Sequence, residues 1–361
     1  MGAKMKVRKL DKHEHQNTRA LWELVFTEDT NFFLDYYYAE KANRNVIHVM
    51  EEETKIFGML QLNPYPVRMG NTEFTGHYII AVATHPNYRK QGIMRKLLNH
   101  ALQSMYENGE AFTFLMPAAE AIYLPFDFRY AYQQRNGKAQ AIIPSTSEIV
   151  TRNANTKDCR MLAEFANDYL SAKDIYIKRT AQYYELLIKE LQSEGGNIAI
   201  VEETGVLIGF YLYTNAKEYI IREPLFLSSK EKYLAESLGE LTGNKTDKLK
   251  CIAYNGMMEE VKEKPIIMFR ILHPEKILTT VKAKKDIQVC IEIQDDIIKE
   301  NNRKWYLSAR AGEYLSVSET MKTAKVKITI AKLVEILFAK TTSANVLDIE
   351  PINKIFINEV V

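Results

Sequence analysis

Hydrophobic and polar residues alternate in strand-like and helix-like patterns over roughly the first 145 positions of the chain. The clearest pattern runs from Gly92 to Asn108, where apolar side chains recur at helical spacing on one face and polar ones occupy the other. This predicts an amphipathic helix. The other elements predicted here are strands at 46–50, 56–62, 74–84 and 111–116 and a short helix at 120–124. The alternation of strands with helices predicts an α/β domain over residues 1–148.

The next part of the chain repeats some of this pattern. Residues 197–209 resemble residues 45–58, and each copy follows two helical stretches. In the second copy these helices are expected at about 158–170 and 180–191. We predict that residues 149–263 form a second, degenerate copy of the first fold. It is expected to be catalytically silent because it has no counterpart of the segment 89–92. A chance similarity of two strand hairpins is the open alternative.

The pattern changes again from Lys264 onward, where strands and helices follow in a different order. Strands are predicted at 266–272, 287–293, 305–310 and 326–330, and helices after His273, Ala331 and Asp348. This order predicts a third domain of the α+β class over residues 264–361.

Composition narrows the class of partners. The 361 residues include 48 Lys and Arg against 46 Asp and Glu, a formal net charge of +2, so we expect neither a nucleic-acid nor a membrane partner. No apolar run approaches the roughly 20 residues that span a bilayer. The three cysteines lie far apart without metal-ligand spacing, which favours reduced thiols, a cytoplasmic location and no metal site.

The most informative stretch joins a buried strand, a short basic turn and the start of the amphipathic helix. The first N–H groups of a helix lack intrahelical partners and carry the positive end of the dipole, which suits a pyrophosphate. Arg89, Lys90 and Arg95 add positive charge, and Gly92 lets an anion approach the backbone. The residues assigned to this anion site are Val82, Ala83, Thr84, Arg89, Lys90, Gln91, Gly92, Ile93, Met94 and Arg95. The alternative is a basic turn that is merely solvated.

These residues resemble a known motif. Arg89-x-x-Gly92-x-Met94, after a strand ending in Val82-Ala-Thr84, resembles the acetyl-coenzyme A (acetyl-CoA) motif of the GNAT acetyltransferases. The segment from Ile122 to Phe128 is similar to the Tyr-x-x-x-Gly-Phe segment of that superfamily. The resemblance implies acetyl-CoA as the co-substrate, no metal, and transfer of an acetyl group to an amine.

The wider arrangement resembles the Eis (enhanced intracellular survival) family. Its features here are a GNAT-like domain, a degenerate second copy and a third domain that opens with Met268-Phe-Arg-Ile-Leu-His-Pro. The resemblance implies an α/β (α+β) fold: tandem GNAT-like mixed-sheet domains followed by a sterol-carrier-protein-like α+β domain. It also implies a homo-oligomer, a hexamer in that family.

Acetyl transfer needs a donor for the oxyanion, an acid for the leaving thiolate and a base for the amine. A backbone N–H where the strand 82–84 separates from its neighbour is the expected oxyanion donor. Tyr123, five residues before Phe128, matches the Tyr-to-Phe spacing of the superfamily and is the predicted acid. The sequence departs from the Phe-Gly-Tyr segment of the Eis family, since it reads Phe126-Asp-Phe here, and Tyr130 is the second candidate.

In the Eis family the base is the chain's own C-terminal carboxylate. By this resemblance the base would be the α-carboxylate of Val361, held by the apolar residues 355–357, whereas some family members end in Phe. A frayed terminus is the alternative.

The acceptor of the acetyl group is predicted to be a cationic small molecule, similar to an aminoglycoside or a polyamine. Aromatic residues mixed with carboxylates around positions 26–38 suit such a cation. The residues assigned to acceptor binding are Phe26, Glu28, Tyr36 and Glu359. Two other functions stay open: a binding protein whose third domain holds a lipid or another apolar ligand, and a protein-lysine acetyltransferase.

Overall fold

The computed structural model describes residues 5–143, 147–243, 248–338 and 346–359. The α-helices in these ranges are α1 (Arg19–Val25), α2 (Asn31–Tyr36), α3 (Ile93–Glu107), α4 (Glu120–Tyr123), α5 (Cys159–Leu170), α6 (Ala181–Ser193), α7 (Tyr233–Thr242), α8 (Pro274–Leu278) and α9 (Ile330–Leu337). The strands are β1 (Lys6–Lys9), β2 (Val46–Glu52), β3 (Lys55–Met69), β4 (Thr72–Thr84), β5 (Phe112–Leu115), β6 (Arg129–Gln140), β7 (Ile149–Asn153), β8 (Ile175–Ile177), β9 (Asn197–Glu203), β10 (Val206–Thr214), β11 (Ile220–Phe226), β12 (Lys248–Ile252), β13 (Glu259–Ile271), β14 (Ile287–Gln294), β15 (Lys304–Ala309), β16 (Ser316–Glu319), β17 (Val326–Thr329) and β18 (Ile355–Phe356).

One large mixed sheet runs through the first two thirds of the chain. Its strand order is β1-β2-β3-β4-β5-β13-β6-β12-β11-β10-β9-β7, and β8 and β18 add to it beside β3. The hairpin β9–β10 in the second part is antiparallel, like β2–β3 in the first, and it too follows two helices. A mixed sheet with helices confirms the predicted α/β (α+β) class.

The strand β13 ties the predicted domains together. It lies between β5 and β6: residues Met268–Ile271 pair with β5, and residues Glu259–Phe269 pair with β6. The boundary predicted between residues 263 and 264 therefore falls inside a strand. In the sequence, β13 begins more than a hundred residues after the end of β6. Local patterns along the chain therefore do not reveal its pairing.

The third part of the chain forms its own sheet, in the order β16-β15-β14-β17. Its helix α9 packs against β6 and β13 of the large sheet. At this contact the Phe338 ring lies 5.2 Å from that of Phe269, which stacks on Phe112 at the same centroid distance. The third domain and the large sheet thus share one hydrophobic core.

The prediction of a helix after Asp348 is wrong. Residues 349–354 are not helical, and the chain then forms the short strand β18 parallel to β8. Pro351 lacks an N–H donor and disfavours a helical conformation at the preceding residue. The carboxylate of Asp174 accepts hydrogen bonds from the N–H groups of Asn353 (3.2 Å) and Lys354 (3.0 Å), which fixes the extended course.

Among the helices that the structure describes, none has the length and apolar character needed to cross a membrane. Cys159, Cys251 and Cys290 are buried free thiols.

Candidate active site

Helix α3 begins directly above strand β3. Its apolar face is buried, as predicted from its spacing, and it ends one residue before Asn108. A Cβ atom on Gly58 of β3 would lie 2.6 Å from Cγ2 of Ile93, so only glycine lets the start of α3 approach this closely. Gly58 therefore sets the position of the helix N-terminus over the sheet.

Strand β4 carries a bulge at the same level. Gln61 pairs with Ile80 and Met59 with Ala83, so two residues of β4 oppose one residue of β3, and Ala81 takes a left-handed φ of +48°. The extra residue of a bulge leaves its backbone groups outside the ladder. The strand thus offers an unpaired backbone donor at the place where the sequence predicts the oxyanion site.

Strands β4 and β5 separate next to the bulge. Their parallel pairing covers positions 77–79 of β4 and ends at Ile79 and Leu115, whereas β4 continues to Thr84. In the described parts of the chain, no other strand takes the place of β5 along residues 80–84. Strand β5 ends at this point, so residues 80–84 of β4 continue toward the start of α3 without β5 as a neighbour.

The turn between β4 and α3 leaves backbone N–H groups uncovered. Lys90 and Gly92 have left-handed φ angles of +63° and +77°. Gly92 is the N-cap of α3, offers no side chain to the helix, and has open space within 4 Å where a Cβ would be. The first N–H groups of α3 therefore point at an accessible corner, and the positive end of the helix dipole lies there.

Three cationic side chains surround this corner. Arg89, Lys90 and Arg95 are all exposed. The Nε of Arg89 donates to the carbonyl of Thr84 (3.4 Å), and the guanidinium of Arg95 lies 5.4 Å from the centroid of the Phe126 ring. The structure thus brings together the ten residues predicted from sequence for the anion site: Val82, Ala83, Thr84, Arg89, Lys90, Gln91, Gly92, Ile93, Met94 and Arg95.

Tyr123, the predicted acid, ends α4. Its side chain is buried, only 6% exposed, and its ring lies edge-on to Phe128 at 6.0 Å. Burial raises the pKa of Tyr123 to about 12, so its hydroxyl stays protonated at neutral pH. Among the described residues, none forms a hydrogen bond with this hydroxyl.

Asp127 explains how the departure from the superfamily pattern is tolerated. It stands where that pattern has glycine and adopts a left-handed φ of +62°. Aspartate is one of the few residues other than glycine that enter this region readily. The turn between Phe126 and Phe128 therefore keeps the conformation that a glycine would give.

Tyr130, the second candidate acid, lies on β6 opposite Met268 of β13. It is half-buried, and burial, followed by the charge of Glu120, raises its pKa. It borders a cavity of about 460 Å³ that also reaches Lys354 and Phe356. Of the two tyrosines, Tyr123 is therefore the more buried.

A cleft lies between the first and second parts of the chain. Two cavities of about 50 and 280 Å³ meet there and share four wall residues: Lys41, Tyr65, Tyr183 and Leu186. We call this region the interdomain cleft. Its smaller cavity is also bordered by Glu190, Arg222, Glu223, Asn358 and Glu359.

Tyr78 of β4 lies close to the wall of the interdomain cleft. Burial raises the pKa of Tyr78, and the negative charge of Glu359 raises it further. The ring of Tyr65, in the wall of the cleft, lies 6.5 Å from that of Tyr78.

The four residues predicted to bind the acceptor do not come together. Glu359 lines the smaller cavity, and the Tyr36 hydroxyl donates to the carbonyl of Leu186 (2.9 Å) at its border. Phe26 packs edge-on against Trp22 at 5.6 Å, and Glu28 is exposed. Neither Phe26 nor Glu28 borders the two cavities of the cleft.

The structure also brings in residues that the sequence did not single out. Arg179, Tyr183 and Glu223 all come from the middle part of the chain, residues 149–263, and form a cluster with Glu359 at the cleft. From the sequence, only the helix that contains Tyr183 is predicted. The contacts themselves join residues 44 and 180 positions apart, so no local pattern indicates them. Val361, the predicted base, lies outside the described residues.

Two family models match parts of this chain. Residues 6–131 match the acetyltransferase (GNAT) domain, and residues 275–356 match the sterol carrier protein domain. No protein with a curated description matches the chain.

Several solved structures have a similar fold over nearly the whole chain. A conserved protein of unknown function from Enterococcus faecalis V583, described as a probable N-acyltransferase, has a TM-score of 0.80 at 16% identity, covering 96% of this chain and 94% of that one. A GCN5-related N-acetyltransferase from Anabaena variabilis has a TM-score of 0.77 at 17% identity, covering 99% of this chain and 98% of that one. Eis1 from Mycobacterium abscessus has a TM-score of 0.65 at 15% identity, covering 93% of this chain and 90% of that one. At these identities the likeness concerns the fold.

Proposed function

We propose that this chain, which carries a GNAT acetyltransferase domain and a C-terminal sterol carrier protein domain, is an acetyl-CoA-dependent N-acetyltransferase for a small-molecule amine. The observation that carries the proposal is the accessible N-terminus of α3 beside the stretch of β4, residues 80–84, that runs on past the end of β5. Tyr123 supplies the acid, and the interdomain cleft provides a place for the amine.

The corner at Gly92 fits a diphosphate. Unpaired N–H groups, open space around Gly92 and the cations Arg89, Lys90 and Arg95 are the features that bind phosphate oxygens in proteins. The pantetheine arm would then follow the edge of β4 beyond Ile79, where β5 no longer pairs with it. Acetyl-CoA supplies the activated acyl group of the reaction.

The chain's own residues have three tasks in the transfer. The unpaired donor at the β4 bulge stabilises the negative charge that develops on the carbonyl oxygen, and one such donor is typically worth about 3–4 kcal/mol. The hydroxyl of Tyr123 gives its proton to the sulfur as the carbon–sulfur bond breaks. A base takes a proton from the amine, and the assignment of this role to the Val361 carboxylate stays a prediction.

The pKa of Tyr123 predicts the basic side of the pH profile. Because burial raises this pKa to about 12, the hydroxyl keeps its proton well above neutral pH. We expect kcat to rise as the amine and its base lose protons and then to stay level up to about pH 10. Initial rates from pH 6 to 10 check this. A decline with an apparent pKa near 9 would contradict Tyr123 as the acid.

The acceptor class is a separate question. The aminoglycoside- or polyamine-like acceptor is a sequence prediction that rests on aromatic and acidic residues near the first helices. In the cleft, the carboxylates of Glu190, Glu223 and Glu359 support binding of an amine, although Lys41 and Arg179 pair with them. A hexameric assembly in the cytoplasm likewise stays an expectation from the resemblance.

The proposal is tested by following release of the coenzyme thiol with the full chain. Acetyl-CoA is combined in turn with aminoglycosides, polyamines and lysine-containing peptides. We expect thiol release with small amines and little with peptides. Turnover of peptides alone would favour the protein-lysine alternative and contradict the small-molecule acceptor.

The lipid-binding alternative makes a different prediction. A lipid-binding protein that has lost the transferase activity is expected not to bind the coenzyme. The acetyltransferase must bind acetyl-CoA even in the absence of an amine. Calorimetric titration separates the two: heat of binding at a stoichiometry of one per chain supports the enzyme, and no binding contradicts it. The shared core between the third domain and the large sheet favours a structural role for that domain.

A further inference from the structure

Residues 353–359 cross from the third domain to the interdomain cleft as an extended strap. Ile355 and Phe356 pair in parallel with Ile175 and Tyr176 of β8. The following residues, 357–359, are buried. The strap therefore does not lie loosely on the surface but forms part of the packed wall of the cleft.

The strap is held by polar contacts on both sides. On the first-domain side, Gln134 of β6 donates to the side-chain carbonyl of Asn358. On the other side, Asn358 donates to Glu223 of β11 (3.4 Å). Asn358 therefore bridges the two halves of the large sheet at the cleft.

Arg179 is the centre of the strongest of these contacts. Its guanidinium is fully buried and binds Glu223 (Nη2–Oε1, 2.9 Å) and Glu359 (Nη1–Oε1, 2.5 Å). The ring of Tyr183 covers the guanidinium at 4.3 Å, and its hydroxyl donates to Glu359 Oε2 (3.1 Å). The side chain of Asn167 in turn fixes the backbone N–H and C=O of Arg179 (2.9 and 2.8 Å).

One guanidinium thus serves two carboxylates that come from different parts of the chain. A buried carboxylate without a partner is costly, so Glu359 is stable in this place only when Arg179 is there to receive it. Glu223 adopts a left-handed φ of +52°, an uncommon conformation for a residue other than glycine. Such conformations persist where the surrounding structure fixes them, often at functional sites.

We propose that Arg179 is a positioning residue for acetyl transfer: it anchors the strap at Glu359 and so completes the wall of the interdomain cleft in which the amine binds. This inference rests on the proposed function. It gives the second, catalytically silent part of the chain a task, which is to present the anchor. Without the anchor the strap would leave the cleft, and the amine would lose the wall formed by Asn358 and Glu359.

Two variants release the strap with little risk to folding. Glu359→Ala leaves Arg179 and Glu223 as a balanced pair, and Arg179→Lys keeps a positive charge but loses the two-pronged geometry. Arg152→Lys is the matched control, since Arg152 also binds two carboxylates, Asp158 and Glu202, but on β7 at the far edge of the sheet.

Three measurements on the full-length variants test the anchor. The first is kcat and KM for the amine, the second is the Kd for acetyl-CoA, and the third is the rate of trypsin cleavage after Lys354, which is exposed at the start of the strap. For Glu359→Ala and Arg179→Lys we expect kcat/KM for the amine to fall at least tenfold and cleavage to accelerate at least fivefold. The Kd for acetyl-CoA should stay within twofold, and Arg152→Lys should resemble the wild type in all three.

Other results overturn the proposal. Loss of activity in Glu359→Ala but not in Arg179→Lys would show that Glu359 acts directly and not through its anchor. Faster cleavage with unchanged kinetics would show that the strap is not part of the amine site. If the wild type binds no acetyl-CoA, the proposed function fails instead, and the protease result still reports whether Arg179 holds the strap.

Discussion

Replacing Gly92 with aspartate is expected to weaken acetyl-CoA binding more than tenfold, which is a loss above about 1.4 kcal/mol. The new carboxylate would lie at the N-terminus of α3, where the diphosphate is proposed to bind. Two charges of the same sign about 4 Å apart repel each other by roughly 1–4 kcal/mol in water or near a protein surface. Calorimetric titration of the variant with acetyl-CoA measures the effect.

The matched control for this variant is Gly92→Asn. Asparagine and aspartate both tolerate a left-handed conformation such as the φ of +77° at this position, and both serve well as N-cap residues. Neither is expected to reduce the helix content seen by circular dichroism. Asparagine is expected to weaken binding less than aspartate does, because it adds bulk without a negative charge. An unchanged Kd for acetyl-CoA in both variants would contradict the assignment of the diphosphate to this corner.

Removing the hydroxyl of Tyr123 is expected to lower kcat by about 10²-fold or more, in the range typical of a lost general acid. Tyr123→Phe keeps the ring and its packing against Phe128. Because none of the described residues binds the hydroxyl, the substitution leaves no polar partner unsatisfied. The Kd for acetyl-CoA should therefore not change, and single-turnover acetylation is the measurement.

Tyr130→Phe is the control that separates the two candidate acids. Tyr130 is less buried than Tyr123, and we expect its replacement to change kcat by less than about twofold. The opposite pattern, with full activity in Tyr123→Phe and a large loss in Tyr130→Phe, would move the acid to Tyr130.

The local part of the site could be predicted because its residues are neighbours in sequence. The strand end, the basic turn and the helix start lie between Val82 and Arg95, so spacing alone places them in one corner. The helix predicted from Gly92 to Asn108 occupies Ile93–Glu107. Here local propensity, amphipathic pattern and capping agree, and such agreement makes a prediction from sequence dependable.

The interdomain cleft could not be predicted in the same way. It joins Lys41, Tyr65, Tyr183 and Glu359, which come from four distant segments. Nothing in the alternation of apolar residues tells which strand edges meet, so the insertion of β13 between β5 and β6 left no local signal. The sequence therefore predicts acceptor residues near the first helices, whereas Glu28 is exposed and does not border the cleft.

Long-range pairing also explains the error after Asp348. The segment has apolar residues at spacings that a helix would allow, but its backbone is satisfied by β8 and by the carboxylate of Asp174. An extended course costs little when partners for its N–H groups already exist. The strap thus depends on the second part of the chain for its conformation.

The central claim is that the diphosphate of acetyl-CoA binds the N–H groups after Arg89 and directs the acyl group along β4 past the end of β5. A crystal structure of the full chain with acetyl-CoA tests it most directly. The account predicts diphosphate oxygens within hydrogen-bond distance of backbone nitrogens in residues 90–94, and the thioester beside the β4 bulge with the Tyr123 hydroxyl near its sulfur. Coenzyme bound elsewhere, or this edge of β4 covered by side chains with the coenzyme excluded from it, would contradict the account.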